Sequence, residues 1–124
     1  MKLELRENMY VRNCYGRIAK IEYIEDNTAY CDNWLYQSYE DHITFINLDD
    51  EDDIDEILKT SYNIIDILEV GDYVNGRKVV DIFYDANDNV MEACVLGSIV
   101  YDNNEIKSVI THEQMEQMEY KVGE

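Results

Sequence analysis

The sequence predicts a β-rich α+β fold, an antiparallel meander with one or two short helices, from three observations. The chain holds eleven tyrosines and no proline; Tyr, Ile and Val suit a half-buried pleated surface, whereas proline removes a ladder donor. Apolar and polar residues alternate over short stretches, the period of a strand with one buried face. Clusters of Asn, Asp and Gly punctuate those stretches as turns do.

Residues 16–24 set Ala19, Ile21 and Tyr23 against Lys20 and Glu22, and Glu25-Asp26-Asn27 supplies a turn. Residues 28–36 alternate Ala29, Cys31 and Leu35 with Tyr30, Asp32, Trp34 and Tyr36, and a third strand is expected over 43–48. Residues 49–56 then carry seven carboxylates in eight positions with no cation among them. Acidic residues favour a helix N-terminus, and Ile54, Ile57 and Leu58 have helical spacing, so a short helix is expected over 52–61. Further strands are expected over 62–68, 73–84, 90–100 and 105–110, with turns at 85–89 and 102–104. Thr111 and Gln114 have the spacing of a capping box ahead of one or two helical turns, and Tyr120-Lys121-Val122 reads as a final strand. This order divides the chain into an N-terminal β subdomain (1–48), an acidic linker with a short helix (49–61) and a C-terminal β subdomain (62–124).

The halves repeat a pattern. Leu5, Tyr10 and Val11 recur as Leu68, Tyr73 and Val74, and Gly16-Arg17 recurs as Gly76-Arg77 with three residues deleted between. In each copy an extended Tyr-Val leads through a glycine turn into a basic-apolar strand. This resembles the opening hairpin of the SH3-like barrels, including the KOW type, and implies two SH3-like half-barrels related by duplication.

Twenty-eight acidic against ten basic side chains give a net charge of −18 and a pI near 4.2. Such a surface repels nucleic acid and anionic bilayers, so direct binding to either is not expected, and charged partners should be basic. No apolar run approaches the ~18 residues of a membrane span, and Lys2, Glu4, Arg6 and Glu7 occupy the start, so a cytoplasmic location is expected. Cys14, Cys31 and Cys94 are odd in number and widely spaced, which reads as reduced core thiols.

The run Asp49, Asp50, Glu51, Asp52, Asp53, Asp55 and Glu56 is the first candidate partner-binding feature, an anionic arm that fits a basic groove. Trp34, Tyr36 and Tyr39 are the second, because aromatics beside Glu40 and Asp41 suit an arginine-rich partner. The other tyrosines are expected to pack the sheet with their hydroxyls wet. No metal site is expected: Asp85, Asn87 and Asn89 imitate the start of a calcium loop, but Val90 and Leu96 stand where its glycine and last glutamate belong. His42 and His112 are the only histidines, no nucleophile-base signature surrounds them, and His112 is expected on the surface. Gly16, Gly71, Gly76, Gly97 and Gly123 are isolated, which excludes a phosphate-binding glycine loop. Neither an enzyme nor a cofactor is expected.

The segments SYNIIDILEVGDYVNG (61–76) and IKSVITHEQM (106–115) resemble parts of small acidic proteins from phages and prophages of Gram-positive anaerobes, a group that includes anti-CRISPR and other anti-defence inhibitors. The resemblance implies a cytoplasmic inhibitor, acting in the host bacterium, that mimics DNA toward a basic nucleic-acid-binding host protein such as a CRISPR effector nuclease. It carries over no binding residue. Two other readings follow from the residues: a phage structural or scaffold module that binds by strand-edge pairing and is expected to form a homo-oligomer, and a sponge for a nucleotide signal built from Arg6, Arg12, Arg17, Lys20, Arg77 and Lys78.

Overall fold

A computed structural model describes residues 4–32 and 45–118. Its chain divides into two compact units, Met1–Ile67 and Leu68–Glu124. The first contains strands β1 (Tyr10–Asn13), β2 (Ile18–Glu25), β3 (Thr28–Cys31), β4 (Phe45–Asn47), helix α1 (Glu51–Asp55) and β5 (Ile57–Ser61). The second contains β6 (Tyr73–Val74), β7 (Arg77–Tyr84), β8 (Val90–Val95), β9 (Ile99–Tyr101), β10 (Val109–Ile110) and helix α2 (His112–Met118). The fold is β-rich α+β, with two antiparallel sheets and two short helices.

Strand order is β4-β3-β2-β1-β5 in one sheet and β10-β6-β7-β8-β9 in the other. Each is therefore a four-strand meander whose fifth strand returns beside the first, after a short helical segment: α1 in one unit, a 3-10 turn at Asn103–Glu105 in the other. The correspondence extends to single hydrogen bonds. Asn8 N donates to Ile21 O, and Ile21 N to Met9 O; Gly71 N donates to Val79 O, and Val79 N to Asp72 O. Asn8 and Gly71 both have positive φ, 70° and 103°. Ile21 pairs with Cys31 just before a register shift, and Val79 pairs with Val95 just before another. Matching side chains fill the same positions, since Leu5, Val11, Ile21, Ala29 and Cys31 are buried in one unit, and Leu68, Val74, Val79, Ala93 and Val95 in the other.

The repeat in the sequence is thus a repeat in structure, with one correction. Val11 lies opposite Ala19, whereas its counterpart Val74 lies opposite Arg77. The second hairpin is shorter by five residues, not three, so Gly16 and Gly76 serve loops of different length. Asn75 and Gly76, with φ of 52° and 83°, are a two-residue turn that only such residues form cheaply.

Five expected elements change. The helix expected over 52–61 ends at Asp55, and Ile57–Ser61 becomes β5, antiparallel to β1. Seven carboxylates repel one another along a helix, whereas β5 completes the sheet and Ile54 and Ile57 still pack on the core. Residues 49–61 are accordingly part of the first unit, whose boundary falls after Ile67. The strand expected over 62–68 is a 3-10 turn at Ile64–Ile67, because the Ser61 hydroxyl accepts from Asn63 N and donates to Asp66. The long strands expected over 73–84 and 90–100 fold back as hairpins, at Asn75-Gly76 and at Leu96-Gly97-Ser98, where Gly97 and Ser98 take positive φ. The segment expected over 105–110 pairs only at Val109–Ile110. The final strand expected at 120–122 lies outside the described residues.

Candidate protein-interaction surface

The acidic run is held in place by its own short side chains. Asp50 caps α1, its side chain accepting from Asp52 N at 2.9 Å, which satisfies a donor that the helix leaves open. Asp53 Oδ2 accepts from Asn47 N at 3.0 Å, tying the helix back to β4. Asp49 Oδ2 accepts from the side chain of Asn27 at 3.2 Å, tying it to the β2-β3 turn. Glu51, Asp52 and Asp55 are exposed and Glu56 is half-buried. None of the seven has an ion-pair partner among the described residues. The run is therefore an ordered corner with three carboxylates projecting from it, instead of a mobile arm.

An aromatic row borders this corner. Tyr23 pairs with Tyr30 across β2-β3, and Tyr30 pairs with Phe45 across β3-β4. The Tyr23 and Tyr30 rings stack with centroids 4.7 Å apart and planes 17° from parallel. Ala29, Cys31 and Ile46 fill the opposite, buried face, so strand alternation turns Tyr30 and Phe45 outward, while the register shift between Ile21 and Tyr23 carries Tyr23, which alternation alone would place beside buried Ile21, to that same outer face. Tyr23 is 43% exposed and Phe45 is 53% exposed. Asn47, which binds Asp53 and also accepts from Asp49 N, lies two residues beyond Phe45 on the same face of β4. Rings and carboxylates thus share one end of the first sheet.

The sequence reading assigned these tyrosines to ordinary sheet packing and missed the row. The available signal was cross-strand register, which alternation within one strand does not give. The expected anchors Trp34, Tyr36 and Tyr39 lie outside the described residues.

The second unit holds a different cluster. His112 Nε2 lies 2.9 Å from Glu69 Oε1 and 3.1 Å from Glu113 Oε1. All three residues are half-buried; His112, expected on the surface, keeps 36% of its side chain exposed while it pairs with two carboxylates. The expected capping box places it there: Gln114 N donates to Thr111 Oγ1, and Thr111 N to Gln114 Oε1. Sequence reading missed this cluster because Glu69 and His112 are 43 positions apart.

Several side chains have purely structural uses. Arg12 is fully buried and donates to Ile67 O at 3.0 Å. Arg17 is 7% exposed and reaches Tyr15 O, Lys20 lies over the Tyr10 ring, and Arg77 donates to Leu96 O. These roles remove Arg12 and Arg17 from any open anion pocket. Asp85 Oδ1 accepts from Asn87 N and Asn89 N, and these backbone donors hold its carboxyl below the usual carboxylate range. It is a turn residue. The cysteines are free, but only Cys31 is fully buried; Cys94 is half-buried and Cys14 is exposed, which corrects the expectation of three core thiols. No helix among the described residues is long and apolar enough to cross a membrane.

Comparison with protein-family models, with curated proteins and with solved structures finds no match to this chain.

Proposed function

We propose that the chain is a stoichiometric, non-catalytic inhibitor that binds a basic nucleic-acid-binding protein through the acidic, aromatic end of its first sheet. The observation that carries this reading is the continuity of Tyr23, Tyr30 and Phe45 with the uncompensated carboxylates around α1. Guanidinium groups bind best where both are offered: a ring face attracts the cation, worth ~0.5–2 kcal/mol depending on desolvation, and carboxylates accept its forked donors. A protein cleft built to hold a nucleic-acid backbone presents many such groups. The phage anti-defence role implied by the sequence resemblance fits this chemistry, with an RNA-guided nuclease as the target class, since such enzymes hold their heteroduplex in a cationic channel. Carboxylates steer the encounter and aromatic contacts slow dissociation.

Two variants separate these contributions. The triple variant Glu51→Gln, Asp52→Asn, Asp55→Asn is expected to slow association about tenfold at low salt and to flatten its salt dependence. Phe45→Ser, at an exposed position, is expected to leave association unchanged and to weaken binding by about 1–2 kcal/mol through faster dissociation. Inhibition of the captured target that is unchanged in both variants would exclude this surface as the contact.

A further inference from the structure

We propose that Glu69, His112 and Glu113 form a binding site for a divalent transition-metal ion of the Zn²⁺ class, within the second unit. One imidazole nitrogen and two carboxylate oxygens converge there, all within 4.8 Å of one another, and this is the one such group among the described residues. A single Nε2 faces both oxygens, at 2.9 and 3.1 Å. It has one proton to donate, or one lone pair. A dication placed between the three groups would be liganded by all of them at once. Ligand atoms around a tetrahedral Zn²⁺, at about 2.0–2.2 Å from the metal, lie about 3.3 Å from one another. Two of the required spacings are therefore nearly met before any ion enters.

The segments that carry these donors are tied together by one buried carboxylate. Asp72, fully buried, holds both segments at once: its Oδ2 accepts from Glu69 N at 2.7 Å and its Oδ1 from His112 N at 2.9 Å. One carboxylate thereby fixes two ligands far apart in sequence, and it also offsets the positive end of α2 that would oppose a cation. Gly71 lies beside His112, and its φ of +103° admits no side chain without strain. The counterpart in the first unit, Asn8, has no such neighbour requirement from a histidine, because β5 is followed by Tyr62 and Asn63 and not by a capped helix. The site belongs to one copy of the repeat.

Donor chemistry selects the metal. An imidazole with two carboxylates suits Zn²⁺, Co²⁺ or Ni²⁺ over Mg²⁺ and Ca²⁺, which prefer oxygen alone. Three protein ligands leave a fourth position for water or for a donor from another molecule. Bound metal would clamp the entry of the second unit to α2.

The test uses the full chain and Co²⁺ as a spectroscopic probe, in excess Mg²⁺ to saturate weak carboxylate sites. The expected result is saturable 1:1 binding with the visible bands of low-coordinate Co²⁺, displaced by Zn²⁺. His112→Gln and Glu69→Gln should each weaken it by at least about tenfold, while the triple variant in α1 should bind as the parent does. In the unsubstituted protein, Zn²⁺ should shift the ring resonances of His112 and leave those of His42 unmoved, a readout that does not depend on any variant folding. Binding retained in His112→Gln, binding abolished by Mg²⁺, or His112 resonances indifferent to Zn²⁺ would each overturn the proposal. None of these outcomes bears on the surface of the first unit.

Discussion

Cys31 and Cys14 differ in every respect that governs thiol chemistry. Cys31 is fully buried at the end of β3, opposite Ile21. Burial, reinforced by the charges of Asp32 and Glu22, pushes its thiol up to about 12. A group so raised is overwhelmingly the unreactive neutral thiol at pH 8. Cys14 lies exposed in the β1-β2 loop. Treatment of the folded protein with a maleimide at pH 8 is therefore expected to label Cys14 rapidly and Cys31 only after denaturation, which peptide mass mapping resolves. Labelling of Cys31 at a rate comparable to Cys14 would mean that the first core opens far more readily than its packing implies.

At the scale of elements, α1 shows how much local chemistry does when intrinsic propensity is poor. Five residues are too few for an independent helix, and repulsion among its acids opposes it. It persists through the Asp50 cap and the Asp53 bond to β4. Asp50→Ala is expected to destabilise the first unit by about 0.5–2 kcal/mol, read by urea denaturation, while Glu51→Gln is expected to be neutral or slightly stabilising. The same local rules explain what the sequence revealed. The turn residues were legible, at Asp26-Asn27, which take positive φ, and at Asp85–Asn89 and Asp102–Asn104, whose side chains bond their own backbone, as was the Thr111 capping box. The two copies were legible as well, because Leu5, Tyr10 and Val11 recur at one offset. Positions where pairing overrides propensity were not legible: Ile57–Ser61 looks helical alone and is a strand because β1 lies beside it. Leu96 hid a turn inside an apolar run. The aromatic row and the Glu69, His112 and Glu113 cluster need register or tertiary closure, and neither is encoded in any local window.

For the molecule as a whole, charge is the dominant constraint. The formal charge is −10 over residues 1–67 and −8 over residues 68–124, so both units are anionic and the 49–56 run is the densest part of a general excess. Such an excess costs stability through self-repulsion, a cost that salt relieves. The proposed contact is the place where exposed rings meet projecting carboxylates. Screening over about 8 Å at physiological ionic strength makes the encounter, more than the final complex, sensitive to salt.

The most direct measurement is competition. The full chain, immobilised, captures its target from a lysate containing defence systems, and guide RNA or target DNA is then titrated against the complex. Nucleic acid is expected to displace the captured protein, and the Glu51→Gln, Asp52→Asn, Asp55→Asn variant is expected to capture less of it. A captured partner that holds its nucleic acid and this chain together, with affinity indifferent to salt and to those carboxylates, would contradict the proposed contact.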